Sequence, residues 1–160
     1  MAIRRKLVVA AALATASAIA MWPLAALADP SPPAVEQRRQ SPAHANAQTE
    51  YDRGVRARVA GDFPVAVDAF RRAIALRADF ADAWNELGYA LRKQGRYAES
   101  VAAYDEALRL RPDFPEALEY LGEAYVQSGQ LEEARRVLAR LRPLDPRRAQ
   151  TLADIIAKPR

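Results

Sequence analysis

From Ala47 onward, apolar residues recur at steps of three and four, as in Trp84, Leu87 and Leu91 and again in Val101, Tyr104, Ala107 and Leu108. With about 3.6 residues per turn, that spacing lines one face of a helix. Glycines interrupt the pattern at Gly61, Gly95 and Gly129, an interval of 34 residues. Asp79-Phe80 recurs as Asp113-Phe114 at the same interval and Pro112 as Pro146, with Ala78 at the matching place one period earlier. The chain therefore divides into three consecutive units, 47–80, 81–114 and 115–148, each cut by its glycine into two helical segments. Glycine takes the left-handed conformation at little steric cost and so closes the first helix of a unit. The residue two places on, Phe63, Tyr97 or Leu131, can then tuck into the helix pair. Pro64 fits the first turn of a second helix, where no backbone donor is needed. Pro112, Pro115, Pro143 and Pro146 mark the joints between units. The predicted fold class is all-α, a stack of three helix hairpins.

In the second unit, Trp84-x2-Leu87-Gly88-x2-Leu91 is followed by Ser100-x3-Tyr104, Ala107 and Pro112. The third reads Leu118-x2-Leu121-Gly122-x2-Tyr125, then Ala134-x3-Leu138 and Pro146. These residues resemble the tetratricopeptide repeat, and the resemblance implies a right-handed superhelical stack. The first unit matches at Gly54, Ala57, Gly61, Phe63, Ala66, Phe70 and Ala73, but holds Glu50 and Arg53 where large apolar residues are expected. Its first helix is expected either to fray or to form a polar amino-terminal cap. Gly54, Gly88 and Gly122 are expected where two helices cross, and Ala66, Ala73, Ala107 and Ala134 are expected to leave room for a neighbour's large side chain. Leu141 stands where a small residue is usual, which points to a different neighbour for the last hairpin. That neighbour is expected in the segment 147–156, where Leu152 and Ile155 fall one period after Leu118 and Leu121. Residues 149–160 thus predict a capping helix and tail, since a repeat stack needs an end that hides its apolar face.

The chain begins with Arg4, Arg5 and Lys6, then an uncharged run from Leu7 to Leu27 that closes on Ala26-Leu27-Ala28. That order predicts an export signal over 1–28 cleaved after Ala28, and a periplasmic or secreted location in a bacterium. Retained, the same run would anchor the chain in a membrane. Residues 29–46 hold four prolines and few large apolar side chains, so a flexible linker is expected there. The formal charge of +4 changes little in this picture, because all 20 acidic residues lie from Asp29 onward against 21 basic ones, a net +1. Nucleic-acid binding needs clustered excess cations and is not expected. With no cysteine and one histidine, His44, in the linker, no metal site, cofactor or catalytic constellation is expected. Adjacent carboxylates such as Asp105-Glu106 diverge by about 100° on a helix and cannot converge on a substrate. The chain therefore reads as a non-enzymatic interaction module.

A stack of hairpins offers a concave groove lined by the first helix of each unit, and the resemblance implies peptide binding there. The inward places give Gln48, Tyr51, Asp52, Val55, Arg58 and Val59 in the first unit; Asp82, Asn85, Glu86, Tyr89, Arg92 and Lys93 in the second; and Glu116, Glu119, Tyr120, Glu123, Val126 and Gln127 in the third. Some relatives grip a terminal carboxylate with Lys, Asn and Arg at places that here hold Tyr51, Val55, Glu86, Glu116 and Tyr120, so that clamp is absent. Acids and tyrosines instead predict an extended peptide partner carrying Lys or Arg, with Asn85 able to bond its backbone. Two alternatives to this scaffold are a self-associating structural protein and a membrane-tethered adaptor.

Overall fold

A computed structural model describes residues 42–158. The expected signal segment 1–28, most of the linker and the last two residues lie outside these, as does the side chain of His44. Among the described residues there are seven helices and no strands: α1 (Pro42–Val59), α2 (Phe63–Leu76), α3 (Ala81–Lys93), α4 (Tyr97–Leu110), α5 (Pro115–Gln127), α6 (Leu131–Leu141) and α7 (Pro146–Ala157). The hairpins α1–α2, α3–α4 and α5–α6 follow one another, each packed on the next, and α7 closes the series against both α5 and α6.

The turns inside the hairpins are built alike. Gly61, Gly95 and Gly129 have φ of 78°, 74° and 84°, the left-handed conformation expected of them. The residue after each glycine donates its N–H back to the first helix: Asp62 to the Ala57 carbonyl (2.9 Å), Arg96 to Leu91 (3.0 Å) and Gln130 to Tyr125 (2.8 Å). These bonds satisfy carbonyls that a helix end otherwise leaves open. Asp62 also caps α2 by accepting from the Val65 N–H at 3.2 Å.

Inside each crossing the missing side chain of a glycine is replaced by a neighbour's. A Cβ on Gly54 would lie 2.5 Å from the Phe70 ring, and one on Gly88 would lie 2.7 Å from the Tyr104 ring. Opposite Gly122 the neighbour is Leu152 of α7 rather than Leu138 of its own hairpin. Leu138 is shorter than Tyr104, and Leu152 occupies the space opposite Gly122. Leu152 thus stands to Gly122 as Phe70 does to Gly54 and Tyr104 to Gly88. Leu141, fully buried, packs in the same cluster as Ala149 and Leu152, so its different neighbour is α7. The core consists of two clusters, one across the first two hairpins and one across the last two with α7, and Trp84 packs against both. Its indole N–H donates to the Ala78 carbonyl at 3.0 Å, pinning the joint between the first two units.

Two boundaries differ from the sequence reading. The first helix starts at Pro42, inside the segment 29–46 assigned to the linker. The last of the four prolines stands at the first helical position, where it is favoured, and Ala43, Ala45 and Ala47 continue the helix. The capping helix starts at Pro146 rather than 149, with the Asp145 carboxylate accepting the Arg148 N–H at 3.0 Å. Glu50 and Arg53 pair with each other at 3.0 Å on a formed α1, the polar cap rather than the frayed end.

Candidate peptide-binding groove

Three helices, α1, α3 and α5, present the residues expected to face inward. On α3 the stripe Asp82, Asn85, Tyr89 follows the i, i+3, i+7 spacing of one helix face. Tyr89 is the hub. Its ring centroid lies 5.5 Å from that of Tyr120 on α5 and 6.4 Å from that of Phe63. The guanidinium carbons of Arg58 and Arg92 lie 5.4 Å from the Tyr89 centroid, and the Lys93 ammonium lies 5.6 Å from it. Arg92 also reaches the Tyr120 ring at 5.6 Å, so the central wall is a run of alternating rings and cations. At the first unit, Tyr51 is half-buried with its ring 4.9 Å from Phe80 and 5.7 Å from Phe70.

The acids expected to line the groove are largely spoken for, which changes the electrostatic picture. Glu86 meets Arg58 at 2.8 Å, tying α3 to α1, and Glu123 meets Arg92 at 2.6 Å, tying α5 to α3. Asp82 accepts both ends of the Arg111 guanidinium, at 3.0 and 2.9 Å. Glu119 is buried and bonded to Arg148, so it anchors the capping helix rather than facing a partner. Glu116 has no lysine or arginine partner among the described residues. The sequence reading named the acids and missed two of their partners, Arg111 and Arg148, each 29 residues after its acid. That common interval was the available signal.

Burial and surplus negative charge show in the ionisable groups. The Tyr51 phenol is pushed up to about 12, first by burial and then by the carboxylates of Glu86 and Asp82. Burial also raises the Glu86 carboxyl, against the pull of Arg58, with Glu116 and Asp82 adding to the rise. Tyr120 is raised by burial, then by Glu116 and Glu119. Asn85 is only 2% exposed, and its Oδ1 finds no hydrogen-bond partner among the described residues. A buried amide oxygen left open is costly unless something bonds it.

Of the other concavities among the described residues, two matter here. One of about 640 Å³, between Arg77, Phe80, Asp82 and Arg111, shares Asp82 with the groove. Another of about 380 Å³, apolar and walled by Ile74, Trp84, Leu87, Leu91 and Ala103, shares no residue with it.

Residues 59–95 and 88–129 match the sequence profile of the TPR repeat. Over that segment the chain is similar to the tetratricopeptide repeat. Among solved structures, the second TPR domain of the human RPAP3 protein, in complex with an HSP70 peptide, is 26% identical with a TM-score of 0.69. The match covers 73% of this chain and 99% of that one. MamA is 28% identical with a TM-score of 0.60, over 66% of this chain and 57% of its own. The TPR2B domain of yeast Sti1, in complex with pHsp70, shares the fold at 21% identity and a TM-score of 0.68, over 71% of this chain and 97% of that one. No curated protein matches the chain in sequence. With seven helices in successive hairpins among the described residues, the chain has the fold of these TPR domains.

Proposed function

We propose that this chain is an exported, non-enzymatic adaptor that holds an extended peptide segment of a partner protein against the inner faces of α1, α3 and α5. The observation that carries this reading is the Tyr89 wall with the buried, open amide of Asn85 beside it. Flat aromatic rings give contact area at little entropic cost, and an amide can bond a partner's backbone. The peptide complex of the RPAP3 domain, on the same fold, supports it. Export rests on the basic start, the apolar run Leu7–Leu27 and the small residues Ala26 and Ala28. A mature chain beginning at Asp29 in a periplasmic extract, read by mass spectrometry, is the expected result. A chain retaining residues 1–28 in the membrane would instead make it a tethered adaptor.

Site-specific photo-crosslinking in the producing cell tests the binding surface. A photoreactive residue at Tyr120 is expected to capture a discrete partner that the same group at the exposed Ala102 does not. Identical products from both positions would contradict the groove as the docking surface. A second reading, self-association, has one observation in its favour: Val59, Val65 and Leu76, three of the four large exposed apolar residues among the described residues, lie on the first unit. A concentration series in light scattering distinguishes it, because an adaptor stays monomeric throughout.

A further inference from the structure

We propose that the trough between α6 and α7 is a second docking surface, fitted to an amphipathic helix of a partner protein that presents aliphatic side chains beside a carboxylate. It shares no residue with the groove and stands or falls without it.

Two adjoining clefts make the trough. One, of about 400 Å³, lies between Arg135, Leu138, Ala139 and Arg142 on one side and Ala153, Ile156 and Ala157 of α7 on the other. The second, of about 270 Å³, continues along Pro146, Ala149 and Gln150, and the two have Arg142 and Ala153 in common. Residues 135, 138, 139 and 142 follow the i, i+3, i+4, i+7 spacing of one helix face. Leu138 and Ala149 belong to the buried cluster against which Ala153 and Ile156 pack, so the floor is apolar and continuous. Ala139 and Ala157 are exposed and end at Cβ, which leaves the mouth open to an incoming ridge of side chains.

Charge decides what kind of partner fits. Residues 131–158 hold seven basic and four acidic side chains, a net +3, whereas residues 42–130 hold eleven basic and fourteen acidic ones, a net −3. None of the four acids lines the trough, while two of the arginines do. Arg135 is bonded to Glu132 in an exposed pair, which water already weakens. Arg142 has no ion pair among the described residues and stands where the clefts meet, an exposed guanidinium beside an apolar floor. A carboxylate can take two parallel hydrogen bonds from it while neighbouring aliphatic side chains enter the clefts.

The walls decide the conformation of that partner. Both are helices, whose backbone groups along the trough are bonded within their own turns. An extended peptide laid there would find almost nothing for its own N–H and C=O groups, whereas a helix brings its backbone already paired. The trough follows α7 for about 18 Å, three helical turns.

The test is selection of a displayed library of single helices, randomised on one face, on the purified chain and on Arg142→Glu, followed by affinity measurement with synthetic peptides. Helices enriched on the unaltered chain but not on Arg142→Glu are expected to share two aliphatic residues four apart and one Asp or Glu at a fixed place. Replacing that acid by its amide is expected to weaken binding about tenfold, the scale of one charge-assisted contact. On Arg142→Gln the same replacement is expected to change almost nothing. Ala139→Trp, which fills the cleft from an exposed position, is expected to abolish binding without entering the core. Loss of no helix from the Arg142→Glu selection, or an enriched set with no fixed acid, would overturn the proposal. Arg142-dependent binding of phosphatidylglycerol vesicles with no such helix enriched would make the trough a lipid site and overturn it too. Each of these outcomes leaves the groove reading to its own crosslinking test.

Discussion

Gly88 carries no side chain because the ring of Tyr104 fills the space where a Cβ would sit, at 2.7 Å. Tyr104 is fully buried and has nowhere to move. Gly88→Ala is therefore expected to lower stability by about 1–3 kcal/mol, read by urea denaturation. Gly122→Ala is expected to be destabilising as well, because its Cβ would press on the side chain of Leu152, which is also fully buried. Gly95 would meet no neighbour at all, yet at φ of +74° an alanine there is strained by about 1–2 kcal/mol. The tyrosines make a separate prediction in alkali. Burial raises the Tyr51 phenol to about 12 and drives the Tyr104 phenol up as well, while in the unfolded chain both titrate near 10.0. The folded state thus favours the neutral rings, and this stabilisation is complete below the unfolded value and lost as pH rises through the folded ones. Chemical denaturation from pH 9 upward should show stability falling beyond about 10. Tyr51→Phe is expected to make that fall smaller, and an unchanged alkaline limb would contradict the assigned burial.

At the scale of elements, an ion pair that joins two helices differs from one within a single helix. Arg92–Glu123 is enclosed, with side-chain exposures of 5% and 19%, whereas Arg135–Glu132 has 57% and 75%. Replacing Arg92 alone by Met leaves the Glu123 charge uncompensated and is expected to cost about 3–5 kcal/mol. The double change Arg92→Met with Glu123→Leu should recover much of that loss in a double-mutant cycle, while Arg135→Ala should lie within about 1 kcal/mol of the unaltered chain. The capping helix depends on Leu152, fully buried opposite Gly122. Leu152→Ala is expected to cost about 2–5 kcal/mol, and a melting temperature unchanged by it would show that α7 is not needed to close the stack.

For the whole molecule, the hairpins were legible because their determinants are local. The glycines at 61, 95 and 129 each need only their own backbone angle, and Phe80, Phe114 and the prolines mark the joints by their place in the period. That Asp82, Asn85 and Tyr89 share one face of α3 was legible too, since helix geometry alone sets it. What sequence did not reveal depends on how far apart two helices sit. Whether Glu119 faces a partner or Arg148 is decided by where α7 packs. Pro42 was ambiguous for another reason, because a proline ends a linker and begins a helix equally well. The groove itself is most directly tested by following backbone amide resonances of the labelled chain during titration with a selected peptide. The largest shifts are expected at Tyr51, Asn85, Glu86, Tyr89, Glu116 and Tyr120; shifts centred instead on Trp84, Leu91 and Ala103 would place the docking surface in the other cleft and contradict the groove.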